Sequence, residues 1–259
     1  MKIIVSHDVD HILLKEHWRD TFVPGLAKRT TISILRRQIS PLTGLQRFTW
    51  RLNRIQELQN FNHRFDIPAT YFFGMRSGLN LSYHWKAAKP LIAFLENTHS
   101  EIGLHGMSFD NASQMKEEKQ RLESLLQTPL RGIRNHYLRR DTETLDLMAS
   151  LGYQFDSTFA GLKNPWLHKG IVEIPISLMD VELLQNVQQS PTAWLTESWR
   201  RIRQAEELGL PYFVINFHDI YYSNGWPLFK AWYEQFISQL VEQDYRFTTF
   251  NVATTEFLN

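Results

Sequence analysis

The sequence of 259 residues contains no cysteine. This absence excludes a disulfide scaffold, a zinc site built on thiolates and a cysteine nucleophile. Glycine and proline are scarce, at 12 and 10 residues, which excludes collagen-like and low-complexity proteins. No window approaches the roughly 20 apolar residues of a membrane-spanning helix. Carboxylates and the ten histidines must therefore supply any metal ligands or acid–base groups.

The chain does contain enough apolar material for a large core, with 43% hydrophobic residues. A folded chain of this length buries roughly 70–75% of the surface that it exposes when unfolded. The net charge is only +1, and no nucleic-acid-binding motif is present, so nucleic acid is not expected as a partner. The first residues, MKIIVSHDVD, lack the apolar core of a secretory signal, which favours a cytoplasmic location.

The small net charge hides a basic segment between residues 15 and 54. Nine basic residues face two acidic ones there, a local balance of nine minus two, or +7. Ile32 and Leu35 beside Arg36 and Arg37 favour an amphipathic basic helix, placed in an insertion at about residues 14–45. The segment either contacts phosphate, on a nucleotide- or lipid-linked substrate or a peripheral membrane surface, or is a solvated insertion.

Short β-rich runs alternate with helical patterns, as in βα units around a parallel sheet. Strands are predicted at residues 2–6, 69–73, 101–105, 132–134, 153–157, 171–175, 212–217 and 246–250. Helices are predicted at residues 46–63, 85–97, 112–127, 142–150, 192–208 and 227–242. This pattern predicts an α/β fold in which residues 1–259 form a single distorted (β/α) barrel of about seven strands.

In a (β/α) barrel, reacting groups collect at the carboxyl ends of the strands. Ionisable residues follow most of the predicted strands at that end: His7, Asp8, Asp10, His11, His105, Asp110, Arg134, His136, Tyr137, Asp156, Asp180, His218 and Asp219. Their repeated position predicts a site at the barrel mouth.

Asp8 and Asp10 are two residues apart, so in an extended segment they lie on the same face. Two carboxylates so close need a cation or different roles, such as one metal ligand and one general base. The alternative is a pair of turn aspartates. His105 precedes Gly106, which would let the imidazole face the mouth while the backbone turns, although a buried structural histidine fits as well.

Arg134 could hold a carboxylate through two N–H groups or be an ordinary arginine at a strand end. His218 suits protonation of a leaving group and is equally compatible with a structural role.

In order and spacing, these residues resemble the polysaccharide deacetylase superfamily, the carbohydrate esterase family 4-like proteins that share the NodB homology domain. The matching segments, which span nearly the whole chain, are residues 6–10 (SHDVD), 69–73 (ATYFF), 101–105 (EIGLH), 134–137 (RNHY) and His218. The resemblance implies a general base at Asp8, metal ligands at Asp10 and His105, and a general acid at His218. It also implies that Arg134 steadies the base and that the backbone N–H of Tyr137 donates to the oxyanion.

The sequence departs from the family pattern at two positions. Phe109 stands where a second metal-binding histidine is usual, so Asp110 is expected as the replacement ligand. Such a site suits zinc, manganese or iron, although loss of the histidine could also mean weak metal binding or none. His136 replaces the usual proline, and with Asp156 and Asp219 it is expected on the substrate side of the site.

The activity implied by the resemblance is metal-dependent hydrolysis of an N-acyl, typically N-acetyl, group on a sugar or glycan. Residues 132–138, 152–158 and 173–180 resemble one branch, the deacetylase-like proteins of surface-polysaccharide (O-antigen, lipopolysaccharide) synthesis. Two alternatives are a metal-independent hydrolase of another C–N amide bond and a catalytically silent glycan-binding protein.

Overall fold

The computed structural model describes residues 1–18 and 20–259; Arg19, one of the nine basic residues counted above, lies outside these ranges. Ten strands belong to one sheet: β1 (Lys2–Val9), β2 (Ala69–Gly74), β3 (Glu101–Gly106), β4 (Gly132–Asn135), β5 (Phe155–Asp156), β6 (Trp166–His168), β7 (Ile171–Glu173), β8 (Leu178–Met179), β9 (Tyr212–Asn216) and β10 (Arg246–Thr248).

The helices follow the strands as the βα pattern predicts. They are α1 (Phe22–Leu35), α2 (Pro41–Leu45), α3 (Ile55–His63), α4 (Lys89–Asn97), α5 (Ala112–Glu123), α6 (Thr144–Ser150), α7 (Asp180–Asn186), α8 (Pro191–Glu207), α9 (Pro227–Glu242) and α10 (Phe250–Leu258). The predicted basic insertion contains α1 and α2. Within the described ranges, no helix combines the length and apolar character needed to cross a membrane.

The strand order is β6-β7-β5-β4-β3-β2-β1-β9-β8, with β10 beside β1. All pairings are parallel except that of β6 with β7. Among the described residues, no pairing joins the two ends of this order. The α/β prediction is confirmed, but the distorted barrel of about seven strands is replaced by an open, curled sheet of ten strands.

The sheet is strongly curled, as one side chain demonstrates. Arg134 on β4 hydrogen-bonds to Asn216 on β9 at 2.8 Å, although four strand spacings separate these strands in the sheet. In a flat sheet that distance would be about 19 Å, which no arginine side chain can span. The curl therefore brings the ends of distant strands together around one interior.

Two apolar layers hold this sheet. Inside the curl, Phe72 and Phe155 pack against Phe250, the first residue of α10, which fills the lower end of the interior. Outside it, the larger core lies between the sheet and the surrounding helices, with Trp194 of α8 against Trp232 of α9.

Each of the eight predicted strands corresponds to an observed one, whereas the sequence pattern predicts neither β6 nor β8, which are three and two residues long. The predicted helix 46–63 forms only from Ile55 onward. Before it, the backbone N–H of Leu52 donates to the Ile12 carbonyl at 3.0 Å, and Arg51 bridges to Leu13. These long-range bonds hold residues 51–53 against the loop after β1, while residues 46–48 form turns that follow α2.

Candidate active site

The carboxyl ends of β1, β3, β4 and β9 supply most of the polar groups of the interior. Along β1 the alternation separates Asp8 from His7. Asp8 points into the curl, whereas His7 points outward, donating from Nδ1 to the Phe217 carbonyl at 2.9 Å and facing the Asn62 side chain. Burial lowers the pKa of His7 to about 3, so this neutral imidazole belongs to the core and not to the site.

Asp8 is held by Arg134. Nη1 of Arg134 donates to Asp8 Oδ1 at 2.9 Å, and Asn216 donates to Asp8 Oδ2 at 2.8 Å. Burial alone would raise the pKa of Asp8, but the guanidinium holds it at about 2. The contact uses one nitrogen of the fork, because the remaining donors bind Ser157.

Asp10, His105 and His136 form a compact cluster. Nε2 of His105 lies 3.2 Å from Asp10 Oδ1, Nδ1 of His136 lies 3.4 Å from the same oxygen, and the two ring nitrogens are 2.9 Å apart. Both rings are buried. One carboxylate oxygen and two imidazole nitrogens converge on one point, and they are a group that could hold a metal ion.

The hydrogen bonds behind the rings set their tautomers. Nδ1 of His105 faces the Arg134 carbonyl at 3.1 Å, and Nε2 of His136 faces the Leu79 carbonyl at 3.0 Å. A carbonyl only accepts, so each ring must donate its outer N–H. The inner nitrogens of neutral rings then present lone pairs to each other and to Asp10 Oδ1, a buried oxygen with no donor. Three converging acceptors fit a divalent cation.

The structure does not bring Asp110 into this cluster. Its side chain is exposed, in the turn that follows β3, and Phe109 before it packs under the Arg139 guanidinium at 4.4 Å. The third ligand-type atom comes from His136 instead, at the end of the neighbouring strand. The expected placement of Asp110 is therefore corrected, because the loop after β3 turns towards solvent.

Gly106 allows the close packing of β3 and β4 beneath this cluster. A Cβ atom at Gly106 would lie 2.4 Å from Oδ1 of Asn135, so any other residue would require that side chain to move. The glycine is needed for this approach of the neighbouring side chain and not for the sharp backbone turn expected from the sequence.

His218 enters the same site from the opposite side of the curl. Asp180, the first residue of α7, accepts from Nδ1 of His218 at 2.8 Å and from its backbone N–H at 2.7 Å. Nε2 therefore faces the cluster, 3.8 Å from Asp10 Oδ2 and 4.0 Å from Asp8 Oδ2. Burial alone would lower the pKa of His218, but Asp180 raises it to about 10.

Tyr137 follows His136 at the rim and is 61% exposed. Its backbone and that of Leu138 adopt left-handed conformations, with φ of 56° and 53°. Such residues cost roughly 1–3 kcal/mol each and cluster at functional sites. The tilted ring lies 4.1 Å from that of His136, so an aromatic surface borders the cluster.

Two predicted substrate residues lie elsewhere. Asp156 sits on the outer face of β5, beside Glu173 of β7, and burial raises the pKa of both carboxyl groups. Asp219 is buried below the rim, where its Oδ2 accepts from the Arg54 backbone N–H at 2.8 Å. Neither carboxyl group faces the mouth, so both expected placements are corrected.

Sequence reasoning missed several residues that position the predicted ones. Ser6 and Asn216 lie on the same inner face as Asp8 and accept from Arg134 at 3.0 and 2.8 Å. The sequence places Asp180 after a predicted strand but indicates no role for it. The alternation along β1 and β9 was the available signal for Ser6 and Asn216, whereas nothing local predicts the Asp180–His218 pair.

Comparisons with known proteins identify this fold. No protein-family model matches the sequence, and no curated protein matches it significantly. A protein from Mycobacterium smegmatis, provisionally assigned as a polysaccharide deacetylase, is 18% identical with a TM-score of 0.66, and the match covers 98% of this chain and 88% of that one.

Two further matches have the same fold. Puue allantoinase is 14% identical with a TM-score of 0.69, over 98% of this chain and 88% of that one. A CE4 family pseudoenzyme from Bacillus anthracis is 10% identical with a TM-score of 0.56, over 98% of this chain and 65% of that one. The chain therefore has the polysaccharide deacetylase fold, which confirms the resemblance at that level.

Proposed function

We propose that this protein is a metal-dependent hydrolase that removes an N-acyl group, typically N-acetyl, from a sugar or glycan. One observation carries the proposal: Asp8 and His218 both border the Asp10–His105–His136 cluster, with Nε2 of His218 4.0 Å from Asp8 Oδ2. A base and an acid beside a cation site are what hydrolysis of an amide requires.

Asp10, His105 and His136 would hold the cation, with zinc the first candidate and manganese or iron the others. The predicted ligand Asp110 is not proposed again. When bound, such a cation supplies Lewis-acid polarisation of the acyl oxygen and lowers the pKa of water. The N–H···O=C bonds behind both imidazoles keep their lone pairs aimed at the ion.

The chain's own residues perform the proton transfers. Asp8 accepts the proton of the attacking water, and Arg134 fixes the orientation of its carboxylate. His218, kept protonated by Asp180, donates from Nε2 to the departing amine. The backbone N–H of Tyr137 is proposed to stabilise the oxyanion, a contribution worth roughly 2.7–4 kcal/mol for a donor of this kind.

The finer assignment is a cytoplasmic step in surface-polysaccharide (O-antigen) synthesis on a nucleotide- or lipid-linked sugar. It is supported by the three sequence segments that resemble that branch. The exposed Tyr137 ring beside the cluster provides a flat apolar face of the kind on which sugar rings stack.

The experiment is turnover of N-acetyl sugars, free and nucleotide-linked, by the purified protein after chelation and after readdition of zinc or manganese. Asp8→Asn is the catalytic control, and a loss of roughly 10²–10⁴-fold in kcat is expected. Full activity of Asp8→Asn, or of His218→Ala, would contradict the mechanism. Glycan binding without turnover by the metal-loaded protein would instead identify a catalytically silent protein.

A second candidate is a metal-independent hydrolase of another C–N amide bond. The 2.9 Å between Nε2 of His105 and Nδ1 of His136 favours it, because this is also a hydrogen-bond distance that one shared proton would satisfy. Such an enzyme would keep Asp8, Arg134 and His218. The test is activity on an amide substrate after exhaustive chelation, with metal analysis to verify that the protein is metal-free. Activity that persists under these conditions supports this candidate.

A further inference from the structure

The segment of residues 21–54, here called the basic arm, contains α1 and α2 and carries charge of one sign. It holds seven basic residues and no acidic one. Four of the seven, Lys28, Arg29, Arg36 and Arg37, are exposed. Concentrated positive charge on an exposed segment attracts an anionic surface.

The same segment exposes large apolar side chains. Leu35 at the end of α1 is 77% exposed, Leu42 and Leu45 of α2 are 67% and 69% exposed, and Trp50 is 64% exposed. Leu42 and Leu45 are three residues apart in one helix, so they share a face. With Ile32, five of the 14 exposed large hydrophobic residues of the described chain lie in these 34 residues.

The apolar and basic side chains are adjacent at the tip of the arm. Arg36 and Arg37 directly follow Leu35, and α2 packs against α1 through Gly44, where a Cβ atom would lie 2.7 Å from the Ile34 side chain. The opposite face of α1 is occupied, because Phe22 and Leu26 pack against Ile220. Only the tip and the outer face are therefore open.

We infer that the basic arm is a docking surface for an anionic lipid membrane. Exposed leucines and a tryptophan suit the boundary between lipid head groups and acyl chains, and unopposed basic residues suit anionic head groups. A soluble acidic partner would match the charge but not the exposed leucines, which need an apolar layer to cover them. The surface goes beyond the proposed hydrolase activity and does not depend on it.

Several bonds tie the arm to loops at the mouth of the site. At the β1 end, Nδ1 of His11 lies 3.0 Å from Nε2 of His17. Nδ1 of His17 in turn donates to Oδ2 of Asp20 at 2.6 Å, directly before the arm begins. The backbone N–H of Leu52 in the arm donates to Ile12, two residues after Asp10. Loop positions near Asp10 are therefore held to both ends of the arm.

The β9 end is tied in the same way. Arg54 binds Asp219, the neighbour of His218, and Nε of Arg47 donates to the Gly225 carbonyl at 2.8 Å. A docked arm would consequently hold the mouth close to the membrane. If the proposed function is correct, this placement suits a sugar carried on a phosphate-bearing lipid.

The test is co-sedimentation of the purified protein with vesicles, either phosphatidylcholine alone or phosphatidylcholine with one quarter phosphatidylglycerol. We expect binding to the anionic vesicles only, weakened by salt because exposed charges are screened. The double variant Arg36→Glu/Arg37→Glu should lose at least about tenfold in partition coefficient. Its control, Lys116→Glu/Arg203→Glu, makes the same change of net charge on α5 and α8 and should bind normally.

The apolar contribution has its own pair of variants. Leu42→Ser/Leu45→Ser should weaken vesicle binding, whereas Leu167→Ser/Leu208→Ser, two leucines exposed elsewhere, should not. No binding to either vesicle, or equal loss in arm and control variants, would overturn the inference. So would a dimer in light scattering that Leu42→Ser/Leu45→Ser dissolves, since the arm would then join two copies.

Turnover of a water-soluble N-acetyl sugar without vesicles separates this inference from the proposed function. The arm variants should match the unmodified protein in that assay, because none of the four residues belongs to the site. Vesicle binding by a protein that proves inactive would still support the docking surface.

Discussion

Nδ1 of His136 lies 2.9 Å from Nε2 of His105, and each ring is bound behind by a backbone carbonyl of another segment. His105 lies on β3, and His136 directly follows the neighbouring strand β4. With Asp10 they provide one carboxylate and two imidazoles, a group that could hold a metal ion. In the proposed site, His136 supplies the second imidazole that the family motif resembled by this sequence would place at position 109.

Loss of His136 should therefore weaken metal binding, and loss of Asp110 should not. We expect His136→Ala to lower zinc affinity by at least about tenfold, since even partners behind a ligand cost 10–100-fold. Asp110→Ala, a change at an exposed position, is the matched control. Isothermal titration calorimetry on the metal-free proteins measures both, and the reverse ranking would return Asp110 to the site.

Replacement of Arg134 should destabilise the protein, because it leaves the buried Asp8 carboxylate without its cationic partner. For Arg134→Met we expect a loss of about 3–5 kcal/mol in the free energy of unfolding and a rise in the pKa of Asp8. Urea denaturation measures the first. A surface control is Arg200→Met, whose exposed pair with Glu197 should contribute about 1 kcal/mol or less.

Replacement of Asp180 should shift the pH profile of the reaction. Asp180 raises the pKa of His218 to about 10, so in Asp180→Asn the imidazole loses its proton at lower pH. The alkaline limb of kcat/KM should move to lower pH by about 1–3 pH units. Asp146→Asn breaks a comparable pair with His168 at the surface and should leave the profile unchanged. An unshifted limb in Asp180→Asn would mean that His218 is not the general acid.

Asp219 should make stability depend on pH in a defined direction. Burial raises its pKa to about 8 in the folded protein, against 3.8 for an ordinary aspartate. Between these values the folded state holds a proton that the unfolded state has released, so stability falls as pH rises from about 4 to about 8. Asp219→Asn cannot titrate, and we expect its stability to exceed that of the unmodified protein increasingly towards pH 8.

Thermal unfolding of both metal-free proteins between pH 4 and 9 measures this difference, which should reach a few kcal/mol at the alkaline end. Parallel curves for the two proteins would show that Asp219 is ionised throughout. The Arg54 N–H bond to Oδ2 is retained in the variant, because an amide oxygen also accepts.

Much of the site was predictable from sequence because each strand is encoded by a short run of neighbouring residues. Buried strands identify themselves by short apolar runs, and the carboxyl end of each is the position where parallel strands meet a common edge. Asp8, Asp10, His105, Arg134 and His218 all follow from that rule. The curled sheet brings these five into the site.

The exceptions share one physical reason. Asp156 also lies at the carboxyl end of a strand, but its side chain is on the outer face of the sheet. In a strand buried on both sides, the sequence does not show which set of alternate side chains faces inward. Asp110 lies in a loop, and Asp219 begins a short 3-10 helix after β9. The helix expected at residues 46–63 does not form over its first half, where residues 51–53 bond to the loop after β1. In each case long-range contacts decide the direction of the chain.

The sequence by itself determined which residue types were available, the alternation of strands and helices, and the strand ends at which chemistry would be found. The tertiary structure alone decided that His136 and not Asp110 completes the cluster, that Asp180 orients His218, and that the basic arm is tied beside the mouth. The alternation of strands and helices is encoded by neighbouring residues. The meeting of side chains at the ends of β1, β3, β4 and β9 depends instead on how far the whole sheet curls.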